Sequence, residues 1–316
     1  MISTTPNLST AQTTLAQSIS YIGVGLHNGR VVVMDLQPAP PNTGVRFVRK
    51  DVPTEQSVIR ARWSSVVDTR LSTVLGNEHG VTVATVEHVL AALRGCGIDN
   101  VVIELNDSEV PILDGSSGPL VATIERAGVQ YQSAPRMGIW IERPIEMQLG
   151  ESYASITPDN TSRISVEIDF DSAAIGSQRS SIELVGNVFQ REIAPARTFG
   201  FAYEIHHLHE QGLALGGSLK NAVLIEDDLV VNPEGLRFED EFARHKLLDC
   251  LGDLALAEAP IFGHYFAHRP GHRLNNSLLR ELFSHKNAWS LLNYEQIRRR
   301  LEFVDEQPKL SQANNG

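Results

Sequence analysis

Cysteine is nearly absent from this chain, with only Cys96 and Cys250 among 316 residues. Two cysteines cannot build a disulfide scaffold or a cysteine-rich zinc module. Both lie in apolar, helix-like stretches, so buried free thiols are expected. Long apolar runs are also missing, and none reaches the ~18–20 residues that a membrane span needs. No Lys or Arg precedes Arg30, and the Ser/Thr-rich start has no apolar core segment. Neither a secretory signal nor an Arg-rich transit peptide is therefore expected, and a reducing cytoplasm is the simplest compartment. Basic residues are in deficit, 27 against 38 acidic, for a net charge of −11. Such a surface has no general grip on a phosphate backbone, so no nucleic-acid partner is expected. A small phosphorylated ligand remains compatible, because it needs only a local basic cluster.

The length favours two domains, since single cores rarely grow beyond ~250–300 residues. Residues 1–15 read as a disordered tail. A domain over 16–131 opens with strand-like YIGVGLHNG and RVVVMDLQPA, with Asn28-Gly29 as the turn between them. PPNTGVRFVRK repeats the turn-and-strand theme. TVEHVLAALR has apolar residues at 86, 89, 90 and 93 and reads as a helix stopped by Gly95 and Gly97. A strand over 98–105 and a helix after LDGSSGP follow. Residues 132–138 read as a linker. The second domain, 139–303, restarts with strands, carries a long helical block over about 237–258, then the strand PIFGHYFAH and closing helices near 275–303. Residues 304–316 form a polar tail. Each half reads as strands, a helix bearing a His, and a strand. This favours α+β architecture with two related domains over one doubly wound sheet.

The sharpest chemical feature is RHKLLDCLGD. Helical spacing places His245 and Asp249 one turn apart on one face, where an imidazole and a carboxylate can share a metal ion. Asp253 lies about 12 Å of rise from His245, too far to share that ion but placed to orient another group. An isolated His-x3-Asp is more often a solvated helix face. Here Leu247, Leu248, Leu251 and Leu254 make the helix heavily apolar, so its acids are expected to face a cleft. A catalytic zinc takes three protein ligands and keeps one open position. His88, beside Glu87, is the candidate third ligand, with Glu87 placed to move a proton. Taken alone, His88 is more often a helix-surface or core histidine than a ligand. His206, His207 and His209 lie among Glu204, Glu210 and Gln211 and read as an exposed helix face. His272, in a Gly-His step after a strand, suits a catalytic acid. His27 and Gly25 read as turn chemistry.

Taken in order, GVGLHNG (23–29), TVEHVLAAL (85–93), GIDNVVIEL (97–105), PILDGSSGP (111–119), ARTFGF (196–201), LGGSLKNAVL (215–224), GLRFEDEFARHKLLDCLGDL (235–254) and GHRLNN (271–276) resemble one family. It is the UDP-3-O-acyl-N-acetylglucosamine deacetylase family of lipid A biosynthesis, and the likeness runs from about residue 15 to about 300. The resemblance implies two α+β domains, each a sheet with helices on one face, packed as a β-α-α-β sandwich. It implies His88, His245 and Asp249 as ligands of one Zn²⁺ per chain, with Fe²⁺ able to take the same place. Glu87 matches the carboxylate that activates the attacking water, His272 the acid at the leaving amine, and Asp253 its orienting partner. Thr198 and Phe199 match an oxyanion-side hydroxyl and a ring at the pocket mouth. Lys246 and Arg269 match positions near the diphosphate, and Phe170 one beside the uridine. Family members often carry His-Pro where this chain has Ser172-Ala173. An insertion over roughly 199–230 is implied as an apolar passage for the acyl chain, walled by Ala202, Ile205, Ala214, Gly217, Ser218 and Leu224. The small, apolar run GLALGG permits such close approach.

The implied reaction is hydrolysis of the N-acetyl group of a UDP-linked acylated amino sugar by a monomer, in the cytoplasm of a Gram-negative bacterium. The leaving amine takes its proton from His272 or from Glu87. Two other readings remain at this stage. Two His and one carboxylate also suit a non-haem iron oxygenase, although no co-substrate site is recognisable. A catalytically inactive, ligand-binding relative is disfavoured because every acid–base position holds a competent residue.

Overall fold

A computed structural model describes residues 9–302 of the chain. The expected polar tail over 304–316 and the first eight residues lie outside the described part. The hairpin at the start of the first half forms as read. Ile19–Val24 pairs antiparallel with Val31–Pro38, and the turn is made by Gly29 at φ 65°. Alternation decides which face is buried: Val32, Met34 and Leu36 point into the core while their neighbours stay more exposed. Five strands make the first sheet, in the order Ile19–Val24, Val31–Pro38, Val101–Leu105, Val45–Arg49, Val58–Arg60. Two helices lie against it, α1 (Glu87–Gly95) and α2 (Gly118–Ala127).

The second half repeats the plan with a larger, seven-stranded sheet that runs through Ile145–Leu149, Ser152–Thr157, Ile261–His268, Met137–Ile141 and Trp289–Asn293. Its helices are the short α3 (Val188–Glu192), α4 (Ala202–Glu210) in the insertion, α5 (Glu241–Leu254) and α6 (His272–Ser284). In each half a parallel strand pair is bridged by a stretch of chain that carries one of the central helices. Val45–Arg49 runs parallel to Val101–Leu105 with α1 between them in the chain, and Ser162–Asp169 runs parallel to Ile261–His268 with α5 between them. Helices of the two halves meet in the middle, α1 against α5, and one hydrophobic cluster runs through both. The architecture is the expected α+β sandwich.

Three local readings change. Ala11–Leu15, expected in a disordered tail, is a strand paired with Val129–Pro135. Its polar side chains can be buried because they are partnered: Thr14 Oγ1 donates to the Asn100 carbonyl at 2.7 Å, and Asp99 accepts from the Thr13 amide at 3.0 Å. The stretch read as a linker is strand on both sides of Arg136, whose Nε meets Asp99 at 3.0 Å. Among the closing helices, Trp289–Asn293 is instead a strand antiparallel to Met137–Ile141, with helix resuming over 294–302. A short apolar run such as WSLLN has no period long enough to tell strand from helix.

Candidate active site

The residues singled out by spacing converge where α1 crosses α5. Gly252 permits the crossing, since a Cβ there would collide with the Glu87 carbonyl. α1 has no side-chain cap and is entered through Thr85, a buried β-branched residue at φ 59°. This uncommon conformation is held by the Thr85 hydroxyl, which donates to Glu109 at 3.0 Å. The entry places Glu87 and His88 on the first turn, both buried, beside His245 and Asp249 on α5.

Asp249 Oδ1 lies 3.5 Å from His88 Nε2 and 3.4 Å from His245 Nε2. One ligand atom from each of the three falls within 4.8 Å of the others. Bonds of ~2.0–2.1 Å to a tetrahedral zinc put neighbouring ligand atoms about 3.3 Å apart, so the spacing suits such an ion. The protonation pattern fits as well. His245 Nδ1 donates to the Ala196 carbonyl at 3.0 Å, which leaves Nε2 as a bare lone pair aimed at Asp249. Burial pulls the pKa of His245 down to about 4 despite the neighbouring Asp249, so the ring is neutral and ready to ligate at pH 7. Asp249 is held well below the usual carboxylate range: burial opposes its charge, but Lys246 and His245 outweigh that cost. These three residues could hold a metal.

A proton-handling pair faces the triad. His272 opens α6; its Nδ1 lies 2.8 Å from Asp253 Oδ2 and its Nε2 3.8 Å from Glu87 Oε1. Burial disfavours a charged His272, but Asp253 and Glu87 prevail and push its pKa up to about 9. Burial raises the pKa of Glu87, with His272 and His88 pulling the other way. These residues, except Asp253 behind them, line a cavity of about 340 Å³ together with Leu26, Thr198, Phe199 and Lys246.

Other residues singled out from the sequence sit in different surroundings. Lys246 Nζ is 2.9 Å from Asp249 Oδ2 and 5.6 Å from the Phe199 ring centre. Phe199 packs edge-on against Phe242 and Phe170. Phe170 borders a separate open hollow with Ser172, Phe201 and Asp228. Ser172 Oγ donates to Asp228 at 2.6 Å there, and the Ala173 amide donates to the same oxygen at 3.0 Å. Arg269, at φ 51°, does not line the cavity; it pairs with Glu151, and with Asp169 at 2.8 Å. None of Ala202, Ile205, Ala214, Gly217, Ser218 and Leu224 lines the 340 Å³ cavity; the first three and Leu224 are half-buried, whereas Gly217 and Ser218 are exposed. The insertion does reach the cavity wall. The Leu215 amide donates to the His27 carbonyl at 3.1 Å and the Gly216 amide to the Leu26 carbonyl at 3.0 Å. His206 and His207 are 88% and 73% exposed and sit beside Glu210, as a solvated helix face should.

Several contributors escaped sequence reasoning. His27 lines the cavity, and both its ring nitrogens are buried without a partner among the described residues. Glu109, 2% exposed, accepts the backbone amides of His27 at 2.8 Å and Asn28 at 2.9 Å, besides the Thr85 hydroxyl. Thr73 serves both acids: its amide donates to Glu87 at 3.1 Å and its hydroxyl to Asp253 at 2.5 Å. Asn275 donates to Asp253 at 2.8 Å. Asn275 carried a signal through its place in GHRLNN, and His27 through GVGLHNG, although it was read as turn chemistry; Glu109 and Thr73 are set by contacts distant in sequence.

A buried donor set for a metal, with a carboxylate and a charged imidazole across one cavity, defines a hydrolytic centre. Residues 12–284 match the family of UDP-3-O-acyl N-acetylglycosamine deacetylases. A UDP-3-O-acyl-N-acetylglucosamine deacetylase of Idiomarina loihiensis is 46% identical over 288 residues, covering 90% of this chain and 94% of its own. Proteins of the same name from Acidithiobacillus ferrooxidans and Myxococcus xanthus are 44% and 45% identical, covering 93% and 89% of this chain and 97% and 89% of theirs. The chain belongs to this deacetylase family and is therefore an amide hydrolase. Among the described residues, no helix is long and apolar enough to cross a membrane.

Proposed function

We propose that the chain hydrolyses the N-acetyl group of a UDP-3-O-acyl-N-acetylglucosamine, releasing acetate and the free amine for lipid A biosynthesis. It does so as a cytoplasmic monomer of two domains, 16–131 and 139–303, holding one Zn²⁺ on His88, His245 and Asp249. The observation that carries this reading is the convergence of that triad with Glu87 and His272 in one cavity of a chain from this family. When bound, the ion supplies Lewis acidity, polarising the acyl carbonyl and lowering the pKa of a nearby water.

The chain's own residues do the rest. Glu87, with Oε2 engaged by the Thr73 amide, takes the proton of the attacking water at its other oxygen. The developing oxyanion is met by the Thr198 hydroxyl and the His272 imidazolium. His272, its charge held by Asp253, then protonates the departing amine. Lys246 and Arg269 receive the diphosphate, which requires Arg269 to leave Glu151 and Asp169. Phe170 lies on the uridine side, and the Phe199 ring stands at the pocket mouth. The insertion, joined to the cavity wall through Leu215 and Gly216, guides the acyl chain past Ala202, Ile205, Ala214, Gly217, Ser218 and Leu224.

Metal analysis combined with an assay for free amine on the UDP-linked substrate tests the reading. His245→Ala and Asp249→Ala should lose metal and activity together, while Glu87→Gln keeps its metal and loses about 10²–10⁴-fold in kcat. Full metal occupancy in both ligand variants would overturn the assignment. For the passage, kcat/KM should rise about fourfold per acyl carbon, the equivalent of about 0.8 kcal/mol per methylene. Gly217→Phe should flatten that series at unchanged metal content. Indifference of the wild type to removal of the whole chain would exclude an acyl passage.

A further inference from the structure

At the end of α1 opposite Glu87, the two halves enclose another cavity of about 420 Å³, which shares no lining residue with the catalytic one. Two guanidinium groups, Arg94 and Arg136, face it, and no carboxylate lines it among the described residues. Arg136 has a counter-charge: Nε meets Asp99 at 3.0 Å, Nη2 donates to the Gly97 carbonyl at 3.2 Å, and the group lies 5.2 Å from the Tyr294 ring centre. The other Asp99 oxygen accepts from the amide and hydroxyl of Thr13 at 3.0 and 3.1 Å.

Arg94 is in a different position. Among the described residues it makes one long hydrogen bond, Nη2 to the Ala255 carbonyl at 3.4 Å, and no ion pair. Burial lowers its pKa; the nearby Asp99 pulls the other way, but that carboxylate already serves Arg136 and Thr13. The described neighbours of Arg94 on the cavity wall supply no counter-charge. Burial pushes the Cys96 thiol up to about 12 and raises the Tyr294 phenol, so both stay neutral at pH 7. The remaining wall mixes neutral polar groups with the rings of Phe189 and Phe262. A planar guanidinium with free donors suits a two-oxygen anion, and the rings suit an apolar body.

We propose that this cavity binds an oxyanion, a carboxylate or a phosphate monoester, carried on a compact apolar body, with Arg94 as the anchoring cation. The test is isothermal titration of the full chain with benzoate, phenyl phosphate and inorganic phosphate. Saturating UDP is present throughout, to occupy the basic groups proposed for the nucleotide. One saturable site per chain is expected for an aromatic anion, with inorganic phosphate at least tenfold weaker because it leaves the rings unfilled. Tighter binding of phenyl phosphate assigns a phosphate head group; tighter binding of benzoate assigns a carboxylate. Arg94→Gln should weaken the preferred anion tenfold or more, and Arg94→Lys by less than threefold, with deacetylation and thermal midpoint retained in both. Absence of saturable binding to the wild type, or binding that Arg94→Gln leaves unchanged, would overturn the proposal.

Discussion

The acid–base behaviour of the site turns on His272, a buried imidazole whose charge is maintained by two carboxylates. Its folded pKa of about 9 exceeds the ~6.5 of an unperturbed histidine. The charged ring therefore stabilises the fold fully below ~6.5, and that contribution is lost as pH rises through about 9. If the imidazolium is the working form, kcat should fall on the alkaline side. A divalent ion on the triad adds nearby positive charge, so the limb is expected at or below pH 9. Asp253→Asn removes the foremost charge that raises the pKa and should move the limb to lower pH while metal content stays constant. A pH–rate profile of the two proteins measures this, and an unmoved limb would mean that Asp253 does not hold the charge.

Two elements depend on single contacts. α1 and α5 can approach only because position 252 has no side chain, so Gly252→Ala should push the Glu87 carbonyl away. The expected cost is about 1–3 kcal/mol, typical of overpacking, read as a lower midpoint in denaturant. Metal affinity should weaken with it, because the ligands ride on the two helices that separate. The loop over 25–29 hangs on Glu109, which accepts two of its amides. Glu109→Ala should strand those donors, at about 1–3 kcal/mol for each that water cannot reach. The loop carries His27 in the cavity wall, so KM should rise more than kcat falls. Steady-state kinetics would show the split, and an unchanged KM would remove the loop from substrate binding.

At the scale of the molecule, His88 comes from the first half and His245 and Asp249 from the second, so an ion on the triad ties the halves together. Removing it by chelation should lower the thermal midpoint. An ion at 1,000 times its Kd contributes about 4 kcal/mol to the folded state. Because one hydrophobic cluster spans both sheets, loss of the ion should shift a single transition and not split it in two. Calorimetry with and without chelator decides between these outcomes.

The periodicities in the chain determined a good deal unaided. The apolar spacing at 86, 89, 90 and 93 implied α1, the Leu-rich run implied α5, and the His245–Asp249 interval implied a shared face, since a helix imposes these relations locally. The same reasoning separated Asp253 from the triad, and the structure places it behind His272. Tertiary structure alone decided what rests on contacts between distant segments. Thr13 and Thr14 look like tail residues until Asp99 and Asn100 receive their polar groups. Trp289–Asn293 becomes a strand only because Met137–Ile141 offers an edge. Glu109 and Thr73 carry no local signature, since each acts through partners many residues away, and His27, read from GVGLHNG as turn chemistry, reaches the cavity wall only once the chain has folded. The charge state of His272 belongs with these: it is set by burial and by Asp253 and Glu87, and burial and electrostatic proximity exist only once the chain has folded.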